Sequence, residues 1–166
     1  ISILTFIESA ADADVSGLEA DILWYPTDDI TVSSAIAYNS TEITAIKAQI
    51  LEIAPVGSEL PLSPNLQWNV RIKRDSELYG APAYTQLAIK SASDSFSALQ
   101  ADKRVIQSAY RVVDLAYGFE INNTQIEFFA RNLTDERAQL YYNDQDDIPR
   151  ITTNRPRNIG MRASYR

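Results

Sequence analysis

The side chains best suited to bind a small molecule are concentrated in one polar stretch near the C-terminus. This stretch, roughly Leu133–Asn154, and the residue after it combine three chemically useful residue types: Tyr141, Tyr142, Asp144, Asp146, Asp147, Arg150 and Arg155. Tyrosine and arginine suit an anionic compound, because they stack on it and form charge-assisted hydrogen bonds. The aspartates suit a cation such as Ca²⁺ instead. The alternative interpretation is an ordinary solvated loop, which composition alone favours.

Residue types that commonly carry catalysis are absent from this sequence. It has no cysteine and no histidine, so thiolate chemistry, disulfides and the commonest general base and metal ligand are missing. We therefore expect a protein that is not an enzyme and that needs no cofactor. A formal net charge of -7 also argues against a nucleic-acid partner, since phosphate binding requires clustered Lys and Arg.

The elements that must position these residues are strands, because apolar residues recur at every second position. The last segment shows this most clearly, with Ile159, Met161 and Ala163 alternating with polar residues. The pattern predicts about eight strands. They lie near Ile1–Ser9, Leu18–Trp24, Ile30–Tyr38, Leu66–Lys73, Ala83–Ser91, Val112–Glu120, Gln125–Arg131 and Asn158–Arg166.

The connections between these strands alternate between short and long. Turn-forming residues predict short turns at Pro26–Asp29, Asp75–Gly80 and Asn122–Asn123. The long connections are Ile43–Pro64, Ala92–Ser108 and Leu133–Asn154. Short helices are possible in the first two of these connections, although a loop is favoured. Isoleucines recur at helical spacing after Ile43, and the stretch from Ser95 contains no Pro or Gly. In a meander, this alternation gathers the short turns at one rim and the long loops at the other.

Strand alternation alone does not separate a membrane barrel from a soluble sheet. Large charged residues recur on the polar faces, and either a water-filled lumen or bulk water solvates them. The aromatic residues near the predicted short turns are more informative, because they are typical of the aromatic girdle at a membrane interface. They are Trp24, Tyr25, Tyr117, Phe119 and Tyr165. Aromatic caps on a soluble core are the alternative.

Four sequence segments, in order, resemble one known family. They are Ala11–Ala20 followed by Trp24–Asp28, then Glu59–Pro64, then Phe128–Glu136 with its Asn-Leu-Thr-Asp run, and finally Arg155–Tyr165 with its Arg-Pro-Arg-Asn-Ile-Gly run. These segments are similar to hairpins and to the last two strands of TonB-dependent outer-membrane receptors. The chain departs from that family by ending in Arg166 after Tyr165, where the family ends in an aromatic residue.

The resemblance implies a fold and a domain organisation. The expected fold is all-β, an antiparallel up-and-down meander of about eight strands that forms the C-terminal portion of a large, 22-stranded transmembrane β-barrel. At about 21 residues per strand such a barrel needs roughly 450 residues, so residues 1–166 would be one C-terminal segment of it. Nothing in the sequence resembles the N-terminal plug domain or the short segment that contacts TonB.

The resemblance also implies a function, a location and partners. The expected function is uptake of a scarce nutrient, above all a ferric siderophore, across the outer membrane of a Gram-negative bacterium with energy delivered by the TonB complex. The expected partners are outer-membrane lipid, the small-molecule cargo and, through the missing N-terminal part, TonB. Residues of the polar stretch described first are then the candidates for contact with cargo. Five residues are expected to face the lumen and hold the plug: Arg71, Lys73, Glu127, Arg131 and Arg162.

Two other functions stay open at this point. One is a complete small eight-stranded outer-membrane barrel with a structural or adhesion role, whose length fits a closed barrel filled with side chains. The other is a soluble ligand-binding β-sandwich, which also alternates polar and apolar residues. The apparent size and the cell fraction of the natural protein discriminate among the three.

Overall fold

The computed structural model describes residues 9–47, 52–143 and 148–165, and every regular element among them is a strand. The strands are β1 (Ala11–Thr27), β2 (Ile30–Ile46), β3 (Leu66–Leu78), β4 (Ala81–Ala92), β5 (Ser95–Phe96), β6 (Ile106–Gln107), β7 (Tyr110–Ile121), β8 (Thr124–Arg131), β9 (Gln139–Asn143), β10 (Arg150–Thr153) and β11 (Asn158–Tyr165). The strand predicted near Ile1–Ser9 lies outside the described residues except for Ser9. No helix in the described part of the chain is long and apolar enough to cross a membrane.

Seven of these strands form one antiparallel sheet in the order β1-β2-β3-β4-β7-β8-β11. Each strand pairs with the next long strand in the sequence, so the sheet is a meander. The short strands make two separate hairpins, β5 with β6 and β9 with β10. The predicted all-β, antiparallel, up-and-down architecture is therefore confirmed. Within the described residues β1 and β11 are edges that do not pair with each other.

The short turns are tighter than the sequence predicts. The predicted turn at Asp75–Gly80 is wrong in its extent, because β3 continues to Leu78 and only Tyr79 and Gly80 turn the chain. Both have positive φ, 51° and 79°, as a two-residue hairpin turn of the primed type requires. In the same way β1 continues to Thr27, which leaves Asp28 and Asp29 as the first turn. The polar residues at these strand ends are types common in turns, but the pairing of the strands continues through them.

The long connections also differ from the prediction. The first was expected to begin at Ile43, but β2 extends to Ile46, because Ala11–Ala13 of β1 supply partners for Ile43 and Ile46. The second and third contain the hairpins β5–β6 and β9–β10. The short helices left open in the first two connections are not found among the described residues; Ile50 lies outside them.

The buried apolar cluster lies among the long connections and not beneath the sheet. Ile43 is completely buried and packs with Ile53 and Ala54. Ala54 and Leu99 join the first two long connections through a backbone hydrogen bond of 3.0 Å. The guanidinium of Arg104 lies 3.7 Å from the centre of the Phe96 ring. The loop end of the sheet is thus a packed structure.

The large sheet has one apolar face that no described strand covers. Paired positions across all seven strands place apolar side chains in a single row: Trp24, Val32, Ile72, Leu87, Leu115, Ala130 and Ile159. Exposure on this face is high for apolar residues, at 59% for Trp24 and 72% for Ile159. Exposed aromatic and aliphatic surface of this extent marks a face that meets another apolar medium or partner.

Candidate functional site

The opposite face of the sheet is polar and carries most of the charged residues singled out from the sequence. Because side chains alternate along a strand, residues paired with one another across the ladder share a face. The pairing places all five predicted lumen residues on this polar face: Arg71, Lys73, Glu127, Arg131 and Arg162. The structure therefore brings them onto one surface, spread over the three strands β3, β8 and β11.

A row of paired residues near the short-turn end forms a connected polar network. It runs across five neighbouring strands through Asp75, Tyr84, Gly118, Glu127 and Arg162. The Tyr84 hydroxyl donates a hydrogen bond of 2.6 Å to Glu127 Oε2. The other carboxylate oxygen of Glu127 lies 3.6 Å from Arg162 Nη1. Glu127 is thus held from both sides.

Gly118 is what allows this network to form. Tyr84 lies on β4 and Glu127 on β8, with β7 between them, so the tyrosine ring must cross β7. A Cβ atom at Gly118 would lie 2.6 Å from Tyr84 Cζ, closer than non-bonded atoms approach. One row away, a Cβ at Gly160 would lie 2.6 Å from Phe129 Cζ. The ring of Phe129 fills the space beside Gly160.

The remaining predicted lumen residues divide into paired and unpaired cations. Lys73 Nζ lies 2.7 Å from Asp75 Oδ1 and 5.4 Å from the centre of the Tyr84 ring. Arg131 stacks over Phe129 at 5.1 Å. Arg71, in contrast, forms no ion pair with any described residue. Its charge is available to a partner on this face.

The polar face encloses a trough of about 670 Å³ nearer the long loops. Glu19 and Asp21 of β1 line one side, and Arg71 and Lys90 of the central strands line the other. None of the four forms an ion pair within the described residues. Lys90 was missed from the sequence, together with Tyr84. The alternation of Tyr84, Gln86, Ala88 and Lys90 was the signal that could have placed both on the polar face.

The Asn-Leu-Thr-Asp run that follows β8 fixes the base of the third long connection. Asn132 is 4% exposed and has a positive φ of 50°. Its side chain donates hydrogen bonds of 2.9 Å to the carbonyl oxygens of Glu136 and Arg155 and accepts one of 2.9 Å from the Glu136 N–H. Its backbone N–H donates to Asp114 Oδ1 at 2.7 Å. One side chain therefore joins the start of the connection to its end.

Asp135 completes this base. Its carboxylate accepts a hydrogen bond of 2.8 Å from the backbone N–H of Arg157, just before β11. That hydrogen bond, with smaller contributions from the Arg137 and Arg157 charges, lowers the pKa of Asp135 below its ordinary value of 3.8. Asn and Asp are residue types that favour a turn-like bend, and both Asn132 and Asp135 have positive φ.

Three of the predicted cargo-contacting residues lie on a hairpin: Tyr141, Tyr142 and Arg150. Tyr141 and Tyr142 belong to β9, opposite Thr152 and Ile151 of β10, and Arg150 is opposite Asn143. Neighbouring residues of a strand point to opposite faces, so the two tyrosines do not share a face of this hairpin. Arg155 follows β10, and its carbonyl oxygen is bound by Asn132. Asp144, Asp146 and Asp147 lie outside the described residues, so the predicted cation site stays a prediction.

No protein-family model and no curated relative matches the sequence. Solved structures do match the fold. The ferric yersiniabactin uptake receptor FyuA from Yersinia pestis superposes with a TM-score of 0.78 at 18% identity, over 93% of this chain and 23% of the receptor. The siderophore receptor PiuA from Acinetobacter baumannii gives 0.74 at 15% identity, over 92% and 22%.

A third match is BauA, the ferric preacinetobactin receptor from Acinetobacter baumannii, with a TM-score of 0.68 at 16% identity over 94% of this chain. The chain spans less than a quarter of the length of each of these receptors. At such identities the likeness shows the fold. The strand arrangement matches one part of each of these larger proteins.

Proposed function

We propose that the chain is the C-terminal third of the β-barrel of a TonB-dependent outer-membrane receptor that takes up a ferric siderophore. The observation that carries this proposal is the match of 93% and 92% of the chain to two siderophore receptors more than four times its length. The plug domain and the segment that contacts TonB then belong to parts of the protein outside these residues.

The two faces of the sheet support a position in a membrane. Lipid hydrocarbon is the medium that the uncovered apolar face requires, and a water-filled lumen solvates the polar face. Three aromatic rings lie side by side on the apolar face near the short turns. The ring centres of Tyr117 and Phe119 are 5.9 Å apart, and those of Phe119 and Phe128 are 6.4 Å apart. Aromatic residues at that height match an interfacial girdle. The short turns are then periplasmic and the long connections extracellular.

Within the lumen the polar face is divided by function. Glu127 and Arg162 form an ion pair that joins β8 to β11, while Lys73 pairs with Asp75 of its own strand and lies over the Tyr84 ring of β4. Arg71 and the trough charges Glu19, Asp21 and Lys90 have no ion-pair partner among the described residues, so they hold the plug. Arg131 lies at the end of β8 next to the third long connection, stacked on Phe129.

The hairpin β9–β10 is the part of the extracellular side that contacts cargo. Tyr141 is 43% exposed and offers a ring for stacking, and Arg150 and Arg155 offer charge to an anionic chelate. The hydrogen bonds of Asn132 and Asp135 fix the base of this hairpin. Cargo contact through it is therefore preorganised, which reduces the entropy lost on binding.

The proposal is tested by fractionation of the source cell followed by an uptake measurement. An antibody against Thr152–Arg166 is expected to detect an outer-membrane protein several times heavier than 18.6 kDa. Cells that lack this protein are expected to lose uptake of a siderophore loaded with radioactive iron, and an uncoupler of the proton-motive force is expected to abolish uptake in normal cells.

Other results distinguish the alternatives. A band near 18.6 kDa in the outer membrane contradicts the proposal and points to a small closed barrel. A band of that size in the soluble fraction points to a soluble binding domain. A heavy outer-membrane band with unchanged iron uptake retains the barrel and rejects the siderophore as cargo.

A further inference from the structure

A second cavity, of about 190 Å³, lies where the polar face of the sheet meets the long connections. Its walls come from three parts of the chain: the lead-in to β3, the connection that contains β5 and β6, and strand β9. None of its described lining residues is charged. Seven of them carry neutral hydrogen-bonding groups: Gln67, Ser93, Ser95, Gln107, Ser108, Tyr110 and Gln139.

The polar groups of this cavity have unused hydrogen-bonding capacity. Gln107 is only 3% exposed, and its one side-chain hydrogen bond to a described residue is long, 3.5 Å from Nε2 to the Gln139 carbonyl oxygen. Its amide oxygen accepts no hydrogen bond from the described residues. The side chains of Gln67, Ser95, Ser108 and Tyr110 likewise form none within the described part of the chain. No described side-chain N or O atom is both fully buried and without a hydrogen-bond partner, so the unpaired amide oxygen of Gln107 is accessible to water or to a bound group.

The cavity adjoins the large trough of the polar face, because Gln67 and Tyr110 line both spaces. Gln139 and Leu140 connect the cavity to Tyr141 and Tyr142 on the same strand. The cavity therefore lies between the hairpin that contacts cargo and the interior of the sheet.

We infer that this cavity binds a neutral hydrogen-bonding part of the cargo, a hydroxyl or an amide group, and selects against a charged one. A carboxylate or catecholate placed here loses water without gaining a counter-ion, whereas a neutral donor and acceptor find partners in the Gln107 amide and the surrounding hydroxyls. The inference rests on the proposed function. It narrows the cargo to a ferric chelate whose outer surface is uncharged on at least one side.

The test uses whole cells that carry the full-length protein and two probes loaded with radioactive iron. One probe is a neutral ferric trihydroxamate chelate, and the other is a negatively charged ferric triscatecholate chelate. The variants are Gln107→Leu and Tyr110→Phe, and the second removes only a hydroxyl that is unbonded among the described residues. Gln100→Leu is the matched control, because Gln100 lies in the same connection as Gln107 and does not line the cavity.

We expect the neutral chelate to be taken up. Gln107→Leu should raise its KM about 5- to 10-fold and Tyr110→Phe roughly threefold, with the maximal rate unchanged and Gln100→Leu without effect. Should Gln107→Leu fail to reach the outer membrane, Tyr110→Phe still carries the test. Preference for the charged chelate, or an unchanged KM in both cavity variants, overturns the inference. Failure of the unaltered protein to take up either chelate overturns the proposed function, and the inference with it.

Discussion

At the scale of single residues, Asn132 of the Asn-Leu-Thr-Asp run holds the third long connection in place. Its buried side chain makes three hydrogen bonds that join both ends of the third long connection. Replacement by alanine removes these hydrogen bonds. It also leaves a residue that carries a Cβ atom at a φ of 50°, where such residues are strained. At about 1 kcal/mol for each hydrogen bond, we expect the connection to be destabilised by about 2–4 kcal/mol.

The measurement for Asn132 is the rate of trypsin cleavage after Arg137 and Arg157 in the full-length protein. Asn132→Gly is the matched variant, because glycine accepts the positive φ and lacks only the hydrogen bonds. Cleavage should be fastest for Asn132→Ala, slower for Asn132→Gly and slowest for the unaltered protein. Equal rates in all three would show that the side chain does not hold the connection.

Asp135 makes the same region sensitive to acid. Its pKa is lowered below 3.8 by the hydrogen bond from the Arg157 N–H. The stabilisation is therefore fully present above the ordinary pKa and is lost as the pH falls below 3.8 through the lowered pKa. Hydrogen exchange of the Arg157 amide, corrected for its intrinsic rate, should accelerate over that range. Asp135→Asn should remove this pH dependence, and a persisting acid response in that variant would point to another group.

Gly118 controls the pair between Tyr84 and Glu127. We expect Gly118→Ala to push the Tyr84 ring aside and leave Glu127 with Arg162 alone, at a cost of about 1–3 kcal/mol. Tyr84→Phe removes only the hydroxyl and should cost about 1 kcal/mol. Urea unfolding of the full-length barrel in detergent compares the two variants. A smaller effect for Gly118→Ala than for Tyr84→Phe would contradict the crossing of β7 by the tyrosine ring.

At the scale of elements, the two faces of one strand make opposite predictions. Leu87 and Ala88 are neighbours on β4, but Leu87 belongs to the apolar row and Ala88 lies between Arg71 and Asp114 on the polar face. In a lipid bilayer Leu87→Arg should destabilise the barrel by roughly 2–4 kcal/mol. Ala88→Arg should cost far less. The amount of folded protein in the outer membrane and its urea midpoint measure both, and equal costs would argue against lipid on the Leu87 side.

The sequence predicts the strands well and their ends poorly. Alternation placed seven strands and both faces, because every second residue meets a different environment along the whole of a strand. It ended β3 too early at Asp75, because charged residues at a strand end look like a turn. The hairpin of Tyr141 and Arg150 was not predicted, since four or five polar residues carry too little periodicity. The neutral cavity was beyond prediction, because its walls come from segments far apart in the chain.

At the scale of the whole molecule, the described sheet has two long strands with unpaired edges. The β1 edge is 17 residues long and the β11 edge 8 residues long. Each edge presents unpaired N–H and C=O groups, which lipid does not tolerate and which pair readily with another chain. Residues 1–166 made alone and placed in detergent should therefore associate through these edges.

Sedimentation velocity in detergent measures this association directly. We expect a broad distribution of species well above the 18.6 kDa of one chain. Addition of the missing strands as a separate polypeptide should narrow it. A single monomeric species that resists unfolding would instead mean that the edges close on each other, as in a small barrel.

The two glycines beneath aromatic rings also bear on the curvature of the sheet. Gly118 and Gly160 lie in adjacent rows of the polar face, on neighbouring parts of β7 and β11. Side chains on the inner side of a bent sheet crowd one another, and glycines on that side relieve the crowding while the rings of Tyr84 and Phe129 fill the space. The sheet around β7, β8 and β11 can therefore bend toward its polar face without a collision of side chains at these two positions.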